Sequence, residues 1–283
     1  MLIVAVQGVR ERSRQLQCQN HLREIGLGLA SFESTFKSFP SGGWGSNWAA
    51  IPELGYGPTQ PAGWIYHVAP FVEINTFDIA RHGLSNLLTT PQPLFSCPSR
   101  RSDELGRNAR RWAPAGYSLV EGLARGDYAM NGGQHFVPYG PGPPNIEAST
   151  GFEWPSMDEN NGLCFQRSQI GIQEVTDGLT LTYLVGEKHL AKRDYFSGLD
   201  YGDNECMYSG DDRDLTRWSS NFPLRDSQFV AFREFSGLSF GGPHVAGFEM
   251  AFCDGSVRLV SFQIDIFVHE AMGGRDDGEA KRE

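Results

Sequence analysis

The sequence predicts an α+β fold: one long N-terminal helix packed on an antiparallel, loop-rich β domain. Three observations predict it. An apolar stripe with helical spacing runs through the first 37 residues without a proline. The 34 glycines and 16 prolines mark frequent turns. Two alternating runs near the C-terminus flank Asp254-Gly255, the signature of a β-hairpin.

The helix is expected from residue 2 to about residue 37. Cys18, Leu22, Ile25, Leu29, Phe32 and Phe36 recur at intervals of three and four, which places all six on one face. Leu2, Val6 and Val9 extend the pattern upstream, and Arg10, Glu11, Arg12, Arg14, Arg23 and Glu24 occupy the other face. Gly26 and Gly28 each cost about 1 kcal/mol of helix stability against Ala, so they are expected where a packing partner comes close. Pro40 with Ser41-Gly42-Gly43 ends the helix.

Residues 41–62 form a loop rich in Gly and Pro that carries Trp44 and Trp48. Residues 64–72 form a short apolar element, helical up to Pro70. Strand-like pieces follow at 117–121 and 127–130, and residues 137–160 read as a surface excursion. Beyond the segments 162–166 and 172–175, a Thr176-Asp177-Gly178 turn leads into a strand at 180–186. The stretch 193–227 is polar and acidic. Phe248, Met250 and Phe252 then alternate with Glu249, Ala251 and Cys253, and Val257, Leu259 and Ser261 with Arg258, Val260 and Phe262. Between them Asp254-Gly255 predicts a two-residue type I′ turn. A helix at 265–272 closes the chain. The organisation is therefore a helix at 1–38 and a globular β domain at 39–283.

Composition narrows the function. A fold of 283 residues buries roughly 75% of its unfolded surface and needs no disulfide to stand. Lys+Arg 24 against Asp+Glu 34 gives a net charge of −10, which repels phosphate backbones and argues against nucleic-acid binding. Adhesion to an anionic membrane surface is disfavoured for the same reason. Cys18, Cys97, Cys164, Cys206 and Cys253 form no C-x-x-C pair. Their spread fits buried thiols, or one or two disulfides with a cysteine left over. The apolar start, Met1 to Val6, is far shorter than the ~20 residues that span a bilayer. Nucleophile-elbow, zincin, phosphate-loop and dinucleotide motifs do not occur, and no catalysis is expected.

Three groups of residues are candidates for sites. His244 and Asp254 could serve as a catalytic pair or as metal ligands, but either role needs further groups that no sequence spacing supplies. A structural role is expected instead, with Asp254 and Gly255 in the hairpin turn. Asp203, Asp211, Asp212 and Asp214 concentrate hard oxygen donors among glycines, which suits calcium; the competing reading is a solvated acidic loop. Trp44, Trp48 and Trp64 could form a platform for a sugar or solute, or pack beneath a loop. Glu187 and Lys188, at a strand end, are assigned no chemistry.

His244, followed after nine residues by Asp254-Gly255, resembles the C-terminal signature of a large planctomycete family, domain of unknown function 1559. Other blocks fit in order: Cys18-Gln19-Asn20-His21-Leu22-Arg23-Glu24-Ile25-Gly26-Leu27, Phe39-Pro40-Ser41-Gly42 and Cys97-Pro98-Ser99-Arg100-Arg101. Asp127-Tyr128-Ala129-Met130-Asn131, Thr176-Asp177-Gly178 and Val185-Gly186-Glu187-Lys188 continue the series. The resemblance implies a type IV pilin-like N-terminus and a pseudopilin-like structural or assembly protein of a type II secretion-like export or cell-surface system. It implies membrane anchoring, an extracytoplasmic location, and partners among other pseudopilin-like subunits or an export machinery. Calcium is implied by analogy with major pseudopilins. The alternative is an extracellular solute- or glycan-binding module. Family members begin with a basic leader, a cleavage site and a hydrophobic helix, so Met1 is expected to fall near the end of that hydrophobic segment.

Overall fold

The computed structural model describes residues 2–101, 104–228, 230 and 237–278. Helix α1 (Leu2–Phe36) is the long N-terminal helix. It stops where Lys37 takes a positive φ of 59°, three residues before Pro40. Among the described residues four short helices follow: α2 (Trp64–Val68), α3 (Thr76–Arg81), α4 (Asn86–Thr89) and, near the C-terminus, α5 (Ile266–Ala271). The side chain of Asp265 caps α5 by accepting from the Phe267 and Val268 amides. The turn Ala69–Val72 is 3₁₀ and continues directly from α2, so Pro70 ends the α-helical geometry as expected.

The main sheet has five strands in the order β5-β3-β4-β8-β9. They are β3 (Tyr128–Asn131), β4 (Tyr183–Glu187), β5 (Thr216–Arg217), β8 (Gly247–Phe252) and β9 (Val257–Ser261). All pairs are antiparallel except β3 with β5, which is parallel. The sheet is thus mixed rather than purely antiparallel, because a long excursion brings Thr216 back beside Met130 in the same direction. Among the described residues two small ribbons complete the β structure: β1 (Gly106–Arg107) with β2 (Gly122–Leu123), and β6 (Leu224–Arg225) with β7 (Gly241–Gly242). Residues 117–121 are not a strand; the Tyr117 hydroxyl instead donates to the Ala50 carbonyl.

The hairpin β8–β9 forms, with Phe248 opposite Val260 and Met250 opposite Arg258, one residue out of the register that a two-residue turn at Asp254-Gly255 imposes. Its turn differs from the expectation. Only Gly255 has positive φ, at 82°, and the Gly255 amide donates to the Phe252 carbonyl. That is a three-residue loop with a left-handed glycine, not a two-residue type I′ turn. Asp254 stabilises it by accepting from the Ser256 amide at 2.9 Å and hydroxyl at 2.6 Å.

The stripe of α1 packs on the sheet and on α2. Cys18, Leu22, Ile25, Leu29 and Phe32 are buried. Leu22, Ile25 and Leu29 share one core with Trp64, Tyr128, Val185 and Ala251, so helix and globular part fold around the same interior. Phe36 departs from the expectation: it is 42% exposed, though its ring stacks on Phe32. Val6 and Val9 also depart from it; they do not continue the buried stripe, and Val9 is 71% exposed. Leu2 lies outside the described side chains. Gly28 marks the closest approach, since a Cβ there would lie 2.6 Å from Val72 Cγ1 and 2.9 Å from Val68 Cγ2. At Gly26 the space is ordinary, with Ala251 Cβ at 3.9 Å. On the opposite face of the sheet Tyr183, Phe240, Phe248, Met250 and Phe252 form a second core. Among the described residues no helix is long and apolar enough to cross a membrane.

Candidate metal centre

Four distant segments deliver one side chain each to a single buried point. Cys18 comes from the packed face of α1, Cys97 from the loop after the 3₁₀ turn Pro93–Phe95, Glu187 from the end of β4, and His244 from the turn between β7 and β8. One ligand atom from each lies within 4.8 Å of the others, and all four residues are buried. The thiols are unbridged, and Cys18 Sγ lies 2.6 Å from Cys97 Sγ. His244 Nε2 lies 3.2 Å from Glu187 Oε1.

Each acid–base member is tethered by its other heteroatom. The Glu249 amide donates to Glu187 Oε2 at 2.9 Å. Gly242 leaves room for that carboxylate, since a Cβ there would sit 2.8 Å from Oε2. His244 Nδ1 lies 3.0 Å from Glu11 Oε1 on the first helix. Glu11 also accepts from Ser99 Oγ at 3.0 Å and pairs with Arg14. Its carboxyl is held below the usual range: burial opposes this, but Arg14 and His244 outweigh it. Burial likewise works against a charged His244, yet Cys97 and Glu187 together push it up to about 11. Burial and the neighbouring Cys18 push the Cys97 thiol well above its ordinary value.

A network of buried cations lies beside this point. Arg100 Nε donates to Asp226 Oδ2 at 2.7 Å and Arg100 Nη1 to the Asp127 carbonyl at 2.9 Å. Arg101 Nη2 reaches Asp127 Oδ1 at 2.8 Å and Asp203 Oδ1 at 2.9 Å. Lys188 Nζ donates to the carbonyls of Gly202 and Asp214 at 2.8 Å and pairs with Asp203 at 3.3 Å. The Asp127 carboxylate also accepts from the Cys97 amide at 2.6 Å, which joins the network to the thiol loop.

The acidic run 200–214 is therefore not a solvated loop: Asp200, Asp203, Glu205, Asp211, Asp212 and Asp214 are buried. The paired cations Arg101 and Lys188 make this tolerable for Asp203, whose pKa they drive far down against the burial that opposes it. Of the four candidate calcium ligands, the structure brings Asp212 and Asp214 together, with Glu205 as their third member, within 4.8 Å. Asp203 is committed to Arg101 and Lys188. Asp211 stands apart near Gly42, and burial pushes its carboxyl up to about 8. Burial, with repulsion from neighbouring carboxylates, raises Glu205, Asp212 and Asp214 as well, although hydrogen bonds from Asp214 partly offset the rise at Asp212.

The tryptophans are packed inside. Trp44 meets Trp48 edge-on at 4.9 Å. The Trp48 and Trp64 indoles donate to the carbonyls of Pro143 and Leu215, each at 2.9 Å. Burial leaves Trp44, Trp48 and Trp64 no open face to act as a ligand platform.

His244 and Asp254, separated by nine residues in the signature, do different things. Asp254 shapes the hairpin, whereas His244 joins the cysteines and Glu187. The further groups that sequence spacing did not supply come from three other segments. Glu187, to which sequence reading gave no chemistry, is a full member of the cluster.

No curated protein matches the chain, and no solved structure does. A family model described as "Protein of unknown function (DUF1559)" matches residues 7–266, in agreement with the blocks quoted above, and the chain belongs to that family.

Proposed function

We propose that the chain is a pseudopilin-like structural subunit that joins other helix-led subunits of an export or cell-surface assembly, without catalysis. The observation that carries this reading is the division of α1. From Cys18 to Phe32 its stripe is buried in the subunit, while residues 6–10 are exposed on every face, Val6 and Val9 included. A helical stretch with no tertiary partner is marginal in water, and its apolar residues gain by packing against a neighbouring helix. The reading puts the protein at the membrane with its β domain outside the cytoplasm.

The alternative, an extracellular solute- or glycan-binding module, loses its support with the burial of the three tryptophans. Calcium belongs to the assembly reading as its cofactor, at Glu205, Asp212 and Asp214. Among the described residues Glu205 Oε2 and Asp214 Oδ2 are buried without hydrogen-bond partners, and an open cleft lined by Tyr139, Tyr201 and Asn204 leads to the group.

The test is a photo-crosslinking residue at position 9 of the native protein in its own cells. The expected products link this chain to itself or to another chain with a pilin-like N-terminal helix, and Val6→Glu abolishes them. A chain that forms no such product and sediments as a monomer at all concentrations overturns the assembly reading.

A further inference from the structure

We propose that Cys18, Cys97, Glu187 and His244 form a closed, four-ligand site for one zinc-class divalent cation, which clamps helix α1 to the sheet. This goes beyond the assembly reading and does not depend on it.

The donor set points to the ion. Two sulfurs, one imidazole nitrogen and one carboxylate oxygen converge within 4.8 Å. Tetrahedral zinc takes that mixture, whereas calcium and magnesium take six or more oxygens. A ligand is indicated independently by the polar atoms facing inward. Glu187 Oε1 and His244 Nε2 are buried and face each other at 3.2 Å, within ion-pair distance, and among the described residues neither atom has a further hydrogen-bond partner. Glu187 is fully buried and His244 is 2% exposed. Without a bound ion the two are satisfied only by a proton on His244, whereas a shared cation between them satisfies both with the imidazole neutral. Their outer atoms are already fixed by the Glu249 amide and by Glu11. A carboxylate behind the distal nitrogen is how a metal-binding histidine is oriented and made more basic.

Charge balance supports the assignment. Two thiolates, a carboxylate and a neutral imidazole around a divalent cation sum to −1. The buried Arg100 guanidinium lies close enough to interact electrostatically with Cys18, Cys97 and Glu187, and offsets that charge. Zinc–sulfur bonds of about 2.3 Å in tetrahedral geometry separate two thiolates by roughly 3.7 Å. Loading the site therefore moves Cys18 Sγ and Cys97 Sγ apart by about 1 Å from their present 2.6 Å. With all four positions filled by protein, the site is structural rather than catalytic. It ties the residue that begins the packed half of α1 to β4 and to the β7–β8 turn.

The test is an anaerobic titration of the chelator-stripped, reduced, full chain with Co²⁺, followed by Zn²⁺. The expected result is one equivalent of Co²⁺, with thiolate-to-cobalt charge-transfer bands and tetrahedral d–d bands that Zn²⁺ abolishes. The carboxylates of Glu205, Asp212 and Asp214 cannot produce a thiolate band, so binding there is distinguished. Cys18→Ser and Cys97→Ser weaken the charge-transfer intensity. Glu11→Gln, at a partly exposed position, keeps the stoichiometry but weakens affinity about 10–100-fold. Two results overturn the proposal. One is a folded, reduced wild-type chain that shows no charge-transfer band at any Co²⁺ concentration. The other is native protein in which peptide mapping finds a Cys18–Cys97 disulfide and no bound metal.

Discussion

Glu11 and His244 stand 233 residues apart and meet with Oε1 3.0 Å from Nδ1. The first helix thereby fixes the imidazole that faces Glu187. In metal-free, reduced protein this makes His244 the nearest cation to a fully buried carboxylate. His244→Ala is expected to destabilise that form by about 3–5 kcal/mol, because it leaves Glu187 buried and unpaired. Glu11→Gln, whose side chain is about a third exposed, costs only about 0–1 kcal/mol. Urea denaturation in chelator and reductant checks both, and equal losses for the two variants would contradict the prediction.

The two glycines of α1 predict opposite outcomes for the same substitution. Gly28→Ala drives a methyl group into Val72 and Val68 and is expected to cost about 1–3 kcal/mol by overpacking. Gly26→Ala meets only Ala251 at ordinary contact distance. It is expected to stabilise the protein by up to about 1 kcal/mol through helix propensity. Thermal melts of the two variants against the parent decide the matter.

Asp211 gives a pH dependence with a definite sign. Its folded carboxyl is raised to about 8, against roughly 3.9 when unfolded. Between those values the folded state keeps a proton that the unfolded state has released, so stability falls as pH rises from about 4 to 8. Asp211→Asn removes this contribution. The variant is expected to match the parent near pH 4 and to exceed it increasingly toward pH 8. Urea midpoints measured across that range should diverge; parallel curves would show that Asp211 ionises normally.

Arg101 holds two buried carboxylates, Asp127 at 2.8 Å and Asp203 at 2.9 Å. Arg101→Met leaves both with one fewer cation and is expected to cost about 3–5 kcal/mol. The double variant with Asp203→Asn should recover part of that loss. Failure of the second change to rescue the first would place the value of Arg101 in its bonds to the Tyr195 and Gly126 carbonyls.

Calcium is expected to raise the melting temperature by several degrees, by neutralising Glu205, Asp212 and Asp214. Asp214→Asn should reduce that shift, and Asp203→Asn should not act through it, since Asp203 is paired elsewhere. A melting curve indifferent to calcium and to chelator removes calcium from the assembly reading.

The sequence by itself determined the local periodic elements. The three-and-four spacing of Cys18 to Phe32 specified the buried face of α1 because a helix brings those positions to one side. Alternation around Asp254-Gly255 specified the hairpin, though not its register or turn type, which depend on where a single positive φ falls. The blocks around Cys18, Cys97, Glu187 and His244 were each visible in the chain. What they share was not, because no local periodicity relates a helix face, a loop, a strand end and a turn. Only the tertiary structure decided that these four side chains meet at one buried point. It also decided that the carboxylates of the acidic run 200–214 lie inside: burial of Asp203 is tolerable only because Arg101 and Lys188, from distant segments, arrive to pair with it. Electrostatic partners of this kind are fixed by topology, and a one-dimensional pattern does not encode them.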